Sequence, residues 1–214
     1  KKKNKILFVQ NKALELSIFL SFPATLALII GSEEIISALF GYGSFDKTAV
    51  KNSALALYYF SFGLPAFAFI KVFSSFFFAN HNTKLPFYIS FISVFLNVVI
   101  SLYYFKDVGF IIIPIATSIS SWFNSIVLFF YLKKENLFFF EKNFSIKFFK
   151  ISFASSLMCL FFKYLISNYE SLLAYDYTFK VFYLILFVIL AFIFYLLISI
   201  FIKAFNYQDL KLKY

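Results

Sequence analysis

Lys71 puts an ammonium group deep inside apolar sequence. It lies within Ser53–Ala79, a run long enough to cross a bilayer at roughly 20 residues and about 1.5 Å each. Eight residues separate it from Ala79, about 12 Å of helix. A lysine held at such depth costs roughly 2.5–3.5 kcal/mol on insertion scales. Two placements meet that cost: a polar cavity or partner inside the protein, or a stem laid along the helix with the head at the interface. The next polar groups come in helical register. Asn97 and Ser101 are four residues apart, as are Thr117 and Ser121, with Asn124 on the same face as the latter pair. Such faces either bond neighbouring helices together or line a polar path. Gly63 and Pro65 stand in the same run as Lys71 and mark where its helix would bend.

No catalytic constellation accompanies these groups. The single His81 excludes a multi-histidine site, and the single Cys159 excludes an intrachain disulfide. There is no metal-binding H-x-x-x-H pair, no aspartate-rich motif and no Walker glycine loop. Gly41-Tyr42-Gly43 lacks the third glycine and the strand–helix setting of a dinucleotide turn. An enzyme is therefore not expected, and neither is a cofactor.

The elements that must carry these residues are membrane helices. Hydrophobic residues make up 62% of the 214 positions and charged residues only 14%, against about 25% charged in soluble domains. Six apolar runs can be read: Leu14–Ile30, Ser53–Ala79, Phe87–Phe105, Phe110–Leu132, Phe148–Ile166 and Phe179–Ile202. The expectation is an all-α integral membrane protein with six transmembrane helices. With six crossings, fourteen lysines fall on the side of the termini and five on the other, Lys71 standing apart. The positive-inside rule then puts both ends in the cytoplasm. The net charge of +10 follows this asymmetry and suits anionic lipid headgroups, with no nucleic-acid partner expected. Gly31–Asn52 contains a short amphipathic stripe (Ile35, Ile36, Leu39, Phe40), expected on the outer interface. The segment 133–150 alternates lysine and phenylalanine and reads as a cytoplasmic interfacial linker. It divides four spans in 1–132 from two peripheral helices in 151–214. The chain begins without Met, and a piece of a longer protein is expected.

Several stretches together resemble one family. Leu39–Phe45 (LFGYGSF), Ala54–Pro86 with its Asn82-Thr83-Lys84-Leu85-Pro86 corner, Asn97, and Val108–Asn124 (VGFIIIPIATSISSWFN) look like the MurJ/MviN lipid II flippases. The likeness runs from about Ala13 to Leu132. Asn82 stands where the family has an acid, and Leu85 where threonine is common. The resemblance implies the last six of fourteen helices in an exporter-superfamily fold. The preceding helices are absent, and they carry the family's cavity arginines, which this arginine-free chain does not supply.

What the resemblance implies about function follows. The protein would be part of a transporter in the bacterial inner membrane. It would move the undecaprenyl-pyrophosphate-linked headgroup of lipid II from the cytoplasmic to the periplasmic leaflet by alternating access, as part of peptidoglycan synthesis. Lys71, Asn97, Thr117 and Asn124 would face the substrate cavity, with Gly63 and Pro65 as hinge. A monovalent-cation site would use Asn97, Ser101, the Ile113 carbonyl and Thr117; Ser101 replaces an acid found in some members, so membrane-potential coupling stands as the alternative. The last two helices would form a groove for the polyprenyl tail. Partners would be lipid II, membrane lipids and the missing N-terminal helices. The rival readings are a polysaccharide-repeat or multidrug exporter of the same superfamily, and a non-transporting structural membrane protein.

Overall fold

A computed structural model of the chain describes residues 2–141 and 143–204. Among them the chain is helix and connecting loop, with no strand. The helices are α1 (Lys2–Ile30), α2 (Ser32–Phe40), α3 (Lys47–Ser61), α4 (Leu64–Ala79), α5 (Lys84–Val108), α6 (Ile112–Lys134), α7 (Phe144–Asn168), α8 (Glu170–Leu173) and α9 (Lys180–Phe201). A short 3-10 turn, Gly109–Ile111, joins α5 to α6. Four stretches are long and apolar enough to span a membrane: Ile6–Ile30, Lys84–Lys134, Phe144–Asn168 and Lys180–Phe201. The broken pair α3 and α4 passes the same test when taken together.

Local sequence explains the helix limits. Asp46 Oδ1 accepts the Ala49 N–H at 2.8 Å and caps α3. Asn82 Oδ1 accepts the Leu85 N–H at 3.2 Å just ahead of α5 and so satisfies one of its first free N–H groups. Gly109 ends α5 at φ 73° and ψ −153°, backbone space that favours glycine. α1 starts well before the expected Leu14. The lysine-rich first turns continue the helix, and Gln10 and Asn11 within them are buried. Pro23 is carried inside α1, as spanning helices tolerate.

The chain forms two compact units. The first comprises residues 1–21 and 62–146. Its centre is the antiparallel pair α5 and α6, with α4 packed on α6. The stretch Lys84–Lys134 thus folds back on itself at the 3-10 turn. At one end of this unit the loop after α6 turns inward. Phe138 is 2% exposed and stacks on Phe76 with ring centroids 5.9 Å apart. Phe73, Phe129 and Phe140 surround it. Asn11, with no exposed surface, donates to Leu7 O at 2.9 Å and Phe139 O at 2.8 Å, and accepts the Glu141 N–H at 3.2 Å. Within residues 137–141, Phe138 is therefore plugged into the first unit while Phe139 and Phe140 remain about half exposed. Burying large rings offsets the ordering of such a loop.

The second unit comprises residues 22–61 and 147–214. In it α2 packs on α3, α8 and α9. Phe161 and Phe194 bring α7 and α9 together, ring centroids 4.5 Å apart. α2 is partly embedded: Ser37 and Ala38 are buried while Leu39 and Phe40 are exposed. Both units draw on separated parts of the chain. Two of the points where the chain passes from one unit to the other fall near Pro23 and at the α3–α4 break.

Candidate functional site

The polar residues singled out from the sequence lie in the first unit, on α4, α5 and α6. Asn97 Nδ2 donates to Thr117 Oγ1 at 2.9 Å and lies 3.4 Å from Ser120 Oγ. Thr117 Oγ1 in turn donates to Ile113 O at 2.8 Å. The Thr117 carbonyl accepts from Ser121 at 2.6 Å and from Ser120 at 3.1 Å. Three of the four residues expected at a cation site thus join in one chain of hydrogen bonds. Ser101 does not join it: its hydroxyl is buried without a hydrogen-bond partner. Asn124, further along α6, donates to Ser90 Oγ at 3.3 Å, and its Oδ1 is buried without a partner.

This geometry bears on a cation. The amide hydrogens of Asn97 point at the hydroxyls a cation would need, and the Thr117 hydroxyl is committed to Ile113 O. No carboxylate takes part. In this arrangement the cluster satisfies itself as an interhelical bond in apolar surroundings, and it does not fit a cation without turning the Asn97 amide.

The bend is built closely. Gly63 caps α4, and Pro65 sits in its first turn, where a missing N–H costs nothing. A Cβ at Gly63 would lie 3.0 Å from Ser118 Oγ and 3.2 Å from Ser118 Cα, so glycine lets α4 approach α6. Trp122 Nε1 donates to Phe62 O at 2.9 Å, occupying a carbonyl at the helix break. Trp122 was not singled out from the sequence. An indole one turn from Ser118, opposite a proline break, was the available signal.

Lys71 lies on the exposed face of α4 with Phe67 and Phe78. Among the described residues it makes no hydrogen bond or ion pair. The exposed side of α5 is apolar from Phe87 to Tyr103, with Leu102 74% exposed. Two further polar sites in this unit were not expected. Asn11 is the clasp of the 137–141 loop. Glu15 lies inside the first apolar run and pairs with Lys12 at 3.0 Å, both largely covered, which explains how an acid is carried there.

In the second unit, a cavity of about 310 Å³ lies among α2, α3, α7 and α8, lined by Glu33, Glu34, Glu170 and Lys47 among others. Burial raises the Glu34 carboxyl above its ordinary value, and the charges of Glu33 and Glu170 add to the rise against an opposing backbone hydrogen bond. Glu34 is held toward its neutral form.

Long apolar helices, one broken at Gly63 and Pro65, with amides and hydroxyls bonded between them at mid-helix, define a multi-pass helical membrane protein. The family described as "Lipid II flippase MurJ" matches residues 1–184, and the chain belongs to this family. Among curated relatives, a probable lipid II flippase MurJ of Rickettsia prowazekii (strain Madrid E) is 34% identical over 128 residues, covering 60% of this chain and 25% of the relative. That of Rhizobium meliloti (strain 1021) is 38% identical over 123 residues, 56% of this chain and 23% of the relative. The Thermotoga maritima protein is 33% identical over 142 residues, 66% of this chain and 28% of the relative. A solved structure of lipid II flippase MurJ in an inward closed conformation superposes with TM-score 0.75 at 25% identity, over 96% of this chain and 40% of that one. The chain spans about a quarter of the length of these curated relatives.

Proposed function

We propose that this chain is the C-terminal part of a lipid II flippase. It would carry the undecaprenyl-pyrophosphate-linked headgroup from the cytoplasmic to the periplasmic leaflet of the bacterial inner membrane by alternating access. The family match across residues 1–184 carries this reading. The fold-back of α5 on α6, counted with the broken α3–α4 pair, supports six crossings equivalent to the last six of fourteen helices. The lysine asymmetry supports cytoplasmic termini.

Roles for residues follow from chemistry. Lys71, charged and uncovered within α4, would meet the missing helices and the substrate phosphate as a point charge. Gly63 and Pro65 would absorb the bend between conformational states. Asn97, Thr117 and Asn124 would line the cavity side of α5 and α6. Membrane potential is favoured over a bound cation, because the Asn97–Thr117–Ile113 chain closes on itself without a carboxylate. α7 and α9 would offer apolar surface to the polyprenyl tail, at about 0.8 kcal/mol per buried methylene. The test is complementation of flippase-depleted cells by the full-length protein, wild type and Lys71→Leu. Rescue by wild type and loss of rescue by an inserted Lys71→Leu is expected. Equal rescue would remove Lys71 from the mechanism, and failure of wild type would remove the function.

A further inference from the structure

Lys180 opens α9, and nothing in its position at the end of an apolar run announces a role. Yet it has no exposed surface. Its ammonium donates to Gly41 O at 2.7 Å and to Tyr175 O at 2.6 Å. It also lies 4.2 Å from the ring centre of Tyr42 and 4.7 Å from that of Tyr175. Two carbonyls and two aromatic faces thus replace the water that an ammonium gives up on burial. Gly41 is the C-terminal cap of α2, so the cation also meets the negative end of that helix.

The surroundings tie the same two loops together. Tyr175 Oη donates to Phe45 O at 2.8 Å. Lys47 and Asp176, both well exposed, pair at 3.6 Å. A Cβ at Gly41 would lie 2.5 Å from Ser37 O and 3.1 Å from the Tyr175 ring, and Gly43 has φ 56°. Gly41 is therefore explained by the close end of α2 and by the Tyr175 ring beside it, and Gly43 by its left-handed backbone alone. All these residues belong to the second unit.

We propose that Lys180 is a positioning residue for transport: its caged ammonium fastens the loop between α2 and α3 to the start of α9, so that these elements move as one piece. Lys180 touches no substrate in this account. The proposal rests on the flippase reading, but its first readout does not depend on transport.

The test uses the full-length transporter, with Lys180→Met to keep the stem and remove the charge. Hydrogen exchange of the amides in 41–46 should accelerate roughly tenfold or more, as expected when charge-assisted hydrogen bonds are lost. Lipid II flipping at matched amounts of inserted protein should fall severalfold. Adding Lys47→Cys and Asp176→Cys in a Cys159→Ala background, then joining the thiols with a short reducible crosslinker, should restore most of the flipping, and reductant should abolish the gain. Merely structural damage would not be repaired by a tether at the exposed ion pair. Unchanged exchange, wild-type flipping by Lys180→Met, or a formed crosslink without recovery would each overturn the proposal. If Lys180→Met fails to insert, Tyr42→Leu decides, since it strips one aromatic face from the ammonium and leaves Lys180 in place: faster exchange and slower flipping support the proposal, and no change in either overturns it. If wild type itself does not flip lipid, the functional reading and the positioning role fall together, while the exchange result still measures the cage.

Discussion

Gly63→Ala is the sharpest perturbation of the bend. The added methyl would stand 3.0 Å from Ser118 Oγ, 3.2 Å from the Phe67 ring and 3.2 Å from Ser118 Cα. The hydroxyl and the ring can give by a rotamer change, but the α6 backbone at Ser118 cannot. Overpacking of this kind costs about 1–3 kcal/mol. For a chain of this size each kcal/mol shifts the melting temperature by about 2–4 °C, so a drop of about 2–12 °C is expected from the same scaling. Cys159, half-buried on α7, provides a thiol for a dye that reports unfolding in detergent. Ser118→Ala in the same background should recover only part of the loss, because the methyl still presses on the Ser118 backbone. Full recovery would mean that only the hydroxyl was in the way. A melting temperature within about a degree of wild type for Gly63→Ala would refute the close approach of α4 to α6.

Further expectations concern other parts of the fold. Asn97→Val should cost about 0.6–1.7 kcal/mol, the range of interhelical hydrogen bonds in membranes, because Thr117 keeps its bond to Ile113 O; a cost beyond that in reversible unfolding would point to a larger role for Asn97. Asn11→Leu strips partners from the Phe139 carbonyl and the Glu141 N–H, about 1–3 kcal/mol for each group left buried, and proteolysis within 137–141 should accelerate; unchanged cleavage would contradict the plug. Burial raises Glu34 above its ordinary 4.5, so its contribution to the packing of α2 is greatest below that pH and is lost as pH rises through the raised value. Glu34→Gln should flatten that dependence, read by exchange of the α2 amides from about pH 4 upward. Single cysteines at Lys84 and Phe139, in a Cys159→Ala background, should be shielded from an impermeant thiol reagent in intact cells, and labelling of either from outside would reverse the proposed topology.

The helical class and the approximate spans were legible because apolar runs without charge have few stable alternatives in a bilayer, where each backbone group must be bonded internally. The polar faces that carry Asn97 and Thr117 were also legible from helical register, and the structure pairs them. The connection Lys106–Gly109 is too short to let α5 and α6 part, and their polar faces avoid lipid by meeting. The break at Gly63 and Pro65 was readable from residue type alone. What the linear sequence could not convey was partnership across distance. Phe138 sits in a segment that read as interfacial because lysines flank it on both sides, and four aromatic side chains from α4, α6 and its own loop enclose it. Ser101 kept helical register with Asn97 but not its hydrogen-bond network, since register assigns a face and not a partner. Lys180 looked like an ordinary flanking lysine. Only folding brings Gly41, Tyr42 and Tyr175 around it, because an ammonium finds its carbonyls and rings only where separate loops close in space. Periodicity and hydropathy are local along the chain and determined the helices; the burial of a charge, an amide or a ring depends on residues far away in sequence, and tertiary packing alone decided those.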